Sequence, residues 1–257
     1  MIAMAEQILK RTWAEIDLDQ LAENYRLLRE KAGEQVKFLG VVKGDAYGHG
    51  AVQVARELER LGADYLAVSS LDEAKELRRH GIGGPVLILG HTPPEMVSQL
   101  IENRITQAVS ARSKAEAYSQ AARDCGGTLK VHIKVDTGMS RLGFLVRGEH
   151  FDGGVADIAA ACSLPNIEAE GIFTHFATSD SDDESSVAYA REQFGLFTAV
   201  LDALAERGCT FAIRHCANSG ALARYPEAYL DMVRPGIVLY GAGDDAEKLG
   251  VKPVMTL

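Results

Sequence analysis

Eight apolar runs too short to be helices recur along the 257-residue chain, at 36–42, 65–68, 86–89, 105–109, 129–135, 171–176, 211–216 and 233–240. Each is rich in Val, Ile and Leu, the composition of strands covered on both faces, as in a parallel sheet under helices. The segments between them carry helical spacing with readable ends. Asp17 with Gln20 reads as a cap before Leu18, Leu21, Tyr25 and Leu28, and Gly33 closes that helix. Ser70 with Glu73 starts another that Gly81 ends, and Thr92, Pro93 and Glu95 start a third, with proline at its first position. The longest spans 184–207, where Val187, Ala190, Phe194, Phe197, Leu201 and Leu204 keep three-and-four spacing.

Strand-helix alternation through eight units predicts an α/β chain folded as a (β/α)8 TIM barrel, because right-handed crossovers place every helix outside the sheet. A length near 250 residues suits one such domain over 1–257. A doubly wound open sheet is the alternative, weakened by the lack of a glycine-rich dinucleotide or nucleotide loop after the first strand. Apolar residues at 47% and charged residues at 25% suit a globular domain. The net charge of -9 speaks against nucleic acid as a partner. No stretch approaches the roughly 18 apolar residues of a membrane span, so the expected setting is cytoplasmic. Cys125, Cys162, Cys209 and Cys216 show neither disulfide-framework nor metal spacing and read as buried free thiols, with no metal site expected. The acidic run 179–184 reads as a solvated loop and helix start.

Barrel enzymes work at the carboxyl ends of their strands, and chemically unusual residues collect there. Lys43 ends the first run in VVKGDAYGHG; Lys134, Asp136 and Arg141 follow the fifth; His175 ends the sixth; Asn218 and Ser219 follow the seventh; Arg234 and Gly236 belong to the eighth. Burial depresses a lysine's pKa and so activates its amine toward an aldehyde, although Lys43 is also readable as a lysine whose stem packs on the rim. Tyr47 either bonds an anion there or packs. Arg141 reaches a phenolate or carboxylate, or pairs with Asp136. His175 reads first as a core histidine, the commoner role of a lone histidine on an apolar strand. The helix start at Asn218 and Ser219 and the backbone of Gly236 and Ile237 offer N–H groups to a phosphate, where plain capping explains Asn218 and Ser219 as well.

Five blocks in order, VVKGDAYGHG, VDTGMSRLGF, THFATSD, HCANSGALA and VRPGIVLYG, make the chain similar to the alanine racemase family over nearly its whole length. The resemblance implies an isomerase of fold-type III that uses pyridoxal 5'-phosphate. Lys43 would form the imine with the cofactor, and Tyr47, Ser219, Gly236 and Ile237 would hold its phosphate. Arg234 would face the pyridine nitrogen, Arg141 the phenolic oxygen, and His175 would lie near the ring. Lys134 matches a position often carbamylated, where it would orient Arg141. Gly44-Asp45 and Cys216 depart slightly from the usual Ala-Asn or Ala-Asp and Ala.

The implied reaction is interconversion of L- and D-alanine, which supplies D-alanine for cell-wall peptidoglycan; serine racemisation is its close variant. A pyridoxal-phosphate-binding protein without turnover and a barrel with vestigial motifs are the other readings. Family members form homodimers and continue into a β-rich domain that supplies a tyrosine to the partner's site. The expectation is therefore a cofactor-binding domain poorly active alone, with residues 12–16 forming a strand that pairs with that second domain and here keeps an open edge.

Overall fold

The computed structural model describes residues 12–257. Eight parallel strands form the ring: β1 (Lys37–Val41), β2 (Tyr65–Val68), β3 (Val86–Ile88), β4 (Ile105–Val109), β5 (Leu129–Asp136), β6 (Ile167–Phe173), β7 (Ile213–His215) and β8 (Met232–Val233), and Phe144–Leu145 pairs parallel with β5 off it. Their spatial order is 8-1-2-3-4-5-6-7. The ring nearly closes: Asp231 and Arg234, flanking β8, donate backbone N–H groups to Arg214 O at 3.0 Å and Ala217 O at 2.9 Å on the β7 side. The (β/α)8 barrel predicted from the alternation is the observed fold.

Helices α1 (Leu18–Ala32), α2 (Ala51–Leu61), α3 (Leu71–Arg79), α4 (Val97–Glu102), α5 (Arg112–Asp124), α6 (Phe151–Cys162), α7 (Glu184–Glu206) and α8 (Ser219–Arg224) surround it. Asp17 and Ser70 cap α1 and α3 through the N–H groups of Gln20 and Glu73, and Asp183 in the acidic run caps α7. These ends were legible because short polar side chains satisfy the free N–H groups of a first turn. The site of Gly40 in β1 is equally local: a Cβ there would lie 2.6 Å from Leu58 Cδ1, so glycine lets α2 seat against the sheet.

Some expectations are corrected. The eighth run is a two-residue strand followed by a 3-10 turn at Ile237–Tyr240, because Pro235 lacks an N–H and interrupts pairing. No helix follows in the eighth slot; α1 packs there, with buried Asn24 bonding Leu239 O at 3.1 Å and Lys252 O at 2.8 Å. Thr92 caps nothing: a 3-10 turn over Pro94–Met96 leads into α4. The amino-terminal strand is Glu15–Ile16 and pairs antiparallel with Met255–Thr256 of the same chain. Cys125 is exposed and Cys162 and Cys209 are half-buried, so only Cys216 fits the buried-thiol reading. Among the described residues no helix is long and apolar enough to cross a membrane.

Two cores result. One fills the shell between strands and helices, with Phe38, Leu58, Tyr118 and Phe197 among its members. The smaller lies inside the barrel, built on Leu39 and Val41 of β1, Ala67 of β2, Leu87 of β3, Ile213 of β7 and Met232 of β8. The other half of the bore is polar. β5 alternates strictly as LKVHIKVD, which puts Lys130, His132, Lys134 and Asp136 on one face of the strand. β6 answers with a bulge: Val131 pairs with Ala169 but His132 with Gly171, so Glu170 and Gly171 together oppose His132.

Candidate active site

At the carboxyl mouth of the barrel a cavity of about 530 Å3 gathers Lys43, Tyr47, Lys134, Arg141, His175, Asn218, Ser219, Arg234, Gly236 and Ile237 in its walls. Asp136, the other residue named from the sequence at these strand ends, does not line it. Ser69, Gly90, Phe173 and the rim carboxylates Asp180, Asp244 and Asp245 line it too. No quoted block contains Ser69, Gly90, Phe173, Asp244 or Asp245, whereas Asp180 closes the THFATSD block and lies in the acidic run read as a solvated loop; Phe173 is found only by noting that it shares the inward face of β6 with Gly171.

Lys43 stands two residues beyond β1 rather than at its end, and starts a turn of the wrong hand. Gly44, Asp45, Ala46 and Tyr47 all have φ between 54° and 61°. For three non-glycine residues that conformation costs about 1–2 kcal/mol each. Polar contacts offset it. Asp45 Oδ1 accepts from Ala51 N at 2.7 Å, opening α2, and Glu73 accepts from Gly44 N at 2.9 Å and Ser69 N at 2.7 Å. Buried Ala46 anchors the turn by donating to Val42 O at 2.9 Å. Strain held by surrounding structure is common at functional sites, and here it places Lys43 and Tyr47 over the bore.

Arg234 lies at the bottom of the cavity, 4% exposed. Its guanidinium donates to Thr174 O at 2.8 Å, Cys216 O at 3.1 Å and His215 Nδ1 at 3.0 Å, and lies 3.4 Å from His175 Nδ1. Burial lowers its pKa to about 10, which still leaves it charged at neutral pH. The Phe173 ring packs beneath it, 5.5 Å from the guanidinium carbon, and stacks on His215.

Lys134 is 6% exposed, and its pKa is lowered to about 7 by burial and then by the charges of Arg234 and Arg141. Burial and the same neighbouring cations push His175 well below the usual histidine value, so its imidazole is neutral. Asp136 accepts from the N–H groups of Gly138 at 2.9 Å and Ser140 at 3.0 Å. That use of its carboxylate pins the loop that carries exposed Arg141 to the cavity, and among the described residues Asp136 makes no ion pair with Arg141. Lys43, Arg141 and Arg234, with the partly neutral Lys134, thus line the mouth of a chain whose net charge is -9.

Across the cavity from the bore, Ser219 Oγ accepts from Gly236 N at 3.0 Å and ties the start of α8 to the turn after β8. A Cβ on Gly236 would fall 2.6 Å from Tyr47 Oη, and one on Gly220 would strike the Ser179 and Asp180 backbone at 2.7–2.8 Å. Glycine at these positions lets three segments converge. The first N–H groups of a helical turn have no partner within the turn, so Ser219, Gly220 and Ile237 present donors to the cavity that Tyr47 also lines. Asn218 keeps the capping role, accepting from Ala221 N at 3.0 Å and from Ser179 Oγ at 2.7 Å. Among the described residues no group of three or more His, Cys, Asp or Glu is placed to hold a metal ion.

Residues 16–244 match the family model described as alanine racemase, N-terminal domain. The chain is 45% identical over 249 residues to an alanine racemase of Desulforamulus reducens and 47% identical over 252 to one of Desulfovibrio desulfuricans, in each case over 95% of its own length and 65% of the relative's. It therefore spans about two thirds of these curated relatives, slightly less than the full fraction. Among solved structures, an alanine racemase of Clostridium difficile in complex with cycloserine superposes with a TM-score of 0.89 at 41% identity, over 97% of this chain and 68% of that one. An alanine racemase of Bacillus anthracis with bound L-Ala-P gives 0.84 at 35%, over 95% and 62%. A barrel of this topology, with these residues at its mouth and this degree of identity over nearly all its length, belongs to the alanine racemase family.

Proposed function

We propose that the chain binds pyridoxal 5'-phosphate through Lys43, and that the protein it belongs to interconverts L- and D-alanine in the cytoplasm as a homodimer, supplying D-alanine for the cell wall. The observation that carries this reading is the convergence, in one cavity, of an amine, a buried guanidinium and a donor cluster fit for a phosphate. The residues fit the cofactor. Close approach of Tyr47 to Gly236 makes a cradle that a Cβ would fill, and cations at 43, 141 and 234 suit an anionic group. When bound, the cofactor supplies an aldehyde that links to an amine and a ring that draws electrons from the α-carbon of a linked amino acid.

In this reading Tyr47, Ser219 and the N–H groups of Gly236 and Ile237 hold the phosphate, with the capping by Asn218 keeping α8 in place. Arg234 donates to the pyridine nitrogen. A guanidinium whose pKa stays near 10 has no proton to yield at neutral pH, so Arg234 would keep the ring nitrogen of a bound cofactor unprotonated and discourage side reactions. Arg141 meets the phenolic oxygen, neutral His175 lies beside the ring, and carbamylated Lys134 orients Arg141 by opposite charge. Lys43 Nζ exchanges the α-proton on one face. A tyrosine of the family's carboxyl-terminal domain, from the partner subunit, does so on the other.

Alanine rather than serine is chosen on the names of the relatives, and comparing both amino acids as substrates separates them. The direct test is cofactor titration of the native chain and of Lys43→Ala. The native chain should gain imine absorbance and a borohydride-stable label that the variant lacks. Retention of both by the variant overturns the assignment.

A further inference from the structure

Beneath Arg234 a line of hydrogen bonds runs down the polar half of the bore. Arg234 Nη1 meets His215 Nδ1 at 3.0 Å, His215 Nε2 meets His132 Nδ1 at 2.9 Å, and His132 Nε2 meets Glu170 Oε2 at 3.3 Å. Glu170 also accepts from Tyr65 Oη at 2.5 Å and from Lys130 Nζ at 2.9 Å. These three residues line a separate cavity of about 420 Å3 at the amino-terminal mouth. The line thus crosses the barrel from one mouth to the other.

Its direction is fixed at both ends. Guanidinium only donates and carboxylate only accepts, so each imidazole must accept at Nδ1 and donate at Nε2. Burial keeps both rings below the ordinary histidine pKa and therefore neutral. Burial raises the Glu170 carboxyl, but hydrogen bonds from His132, Tyr65 and Lys130 outweigh it and hold the group at about 2, an acceptor at any working pH. The sequence invests in this line at each step. The β6 bulge turns Glu170 and Gly171 together toward His132, and a Cβ on Gly171 would lie 2.7 Å from the His132 ring.

We infer that Glu170, at the mouth opposite the site, is a positioning residue that sets the tautomers of His132 and His215 and thereby holds the Arg234 guanidinium in its orientation. The significance of that orientation for the cofactor rests on the reading above; the line of bonds does not.

Nitrogen-15 NMR of the cofactor-free chain tests it. Native His132 and His215 should each show an unprotonated Nδ1 and a protonated Nε2, with slowly exchanging Arg234 Nη–H signals. Glu170→Leu should mix the His132 and His215 tautomers and speed Nη–H exchange at least about tenfold, as expected when one hydrogen bond to a charged acceptor is lost. Glu170→Gln, which keeps an acceptor, should preserve the native pattern, and so should Lys130→Met, which removes a different charge at the same mouth. If Glu170→Leu does not fold, Glu170→Asp, one methylene shorter, should give the same mixing. Unchanged tautomers in the Leu or Asp variant, or equal disturbance by Lys130→Met, overturns the inference. A native line in a chain that fails to bind cofactor would refute the functional reading alone.

Discussion

Lys134 shows how much a single environment changes a side chain. A lysine at about pH 7 that titrates near 7 carries roughly 10³-fold more neutral amine than one at the ordinary value near 10.4. Its folded pKa is depressed, so the folded chain binds fewer protons here than the unfolded chain, and this group makes stability rise with pH between about 7 and the ordinary lysine value. The neutral amine is also the form that captures carbon dioxide. Carbon-13 NMR with labelled bicarbonate should show a carbamate signal that grows from pH 6 to pH 8 and is missing from Lys134→Met. A signal that is equal in the variant, or that falls with rising pH, would contradict the proposed modification.

Among the elements, β5 and β6 deserve to be read together, because an alternating strand and a bulged partner turn half a barrel core into a polar bore. Gly171 is the tightest point. Gly171→Ala would drive a methyl into the buried His132 imidazole. Overpacking of this kind costs about 1–3 kcal/mol, to be seen as a lowered denaturant midpoint. The left-handed turn at 44–47 is the second element on which the site depends. Gly236→Ala should displace the Tyr47 hydroxyl and weaken cofactor binding by about tenfold or more while leaving the midpoint nearly unchanged, since the clash is at the cavity wall. An equal loss of stability and binding would show that the turn is part of the core instead.

For the whole molecule, the proposed reaction requires a proton donor or acceptor on each face of the α-carbon, and the residues assigned here furnish the Lys43 face. The 257-residue chain, assayed by itself at full cofactor occupancy, should therefore racemise alanine about 10²- to 10⁴-fold more slowly than a full-length relative. Comparable rates would require a second acid within these residues, and Tyr47, at the cavity wall, would be the first to test. The pairing of Glu15–Ile16 with Met255–Thr256 brings two distant segments into one small ribbon beside α1.

Local chemistry was enough to read the fold from the sequence. Apolar runs, the caps at Asp17 and Ser70 and the spacing of α7 depend on neighbours a few residues away. That residues 43, 134, 141, 175, 218, 219, 234, 236 and 237 gather in one cavity was legible for a related reason, since strand ends in a barrel meet at one mouth and motif blocks mark them. Only the tertiary structure decided the rest. The hand of the turn after Lys43, held by Glu73, the docking of α1 in the last helical slot and the line from Arg234 to Glu170 all join residues far apart in sequence. His132 was in view all along as the second polar residue of an alternating strand, but its partners His215 and Glu170 lie 83 and 38 residues away. Which atoms such a histidine meets is set by strand register and a bulge, and register is a property of the packed barrel rather than of any one segment.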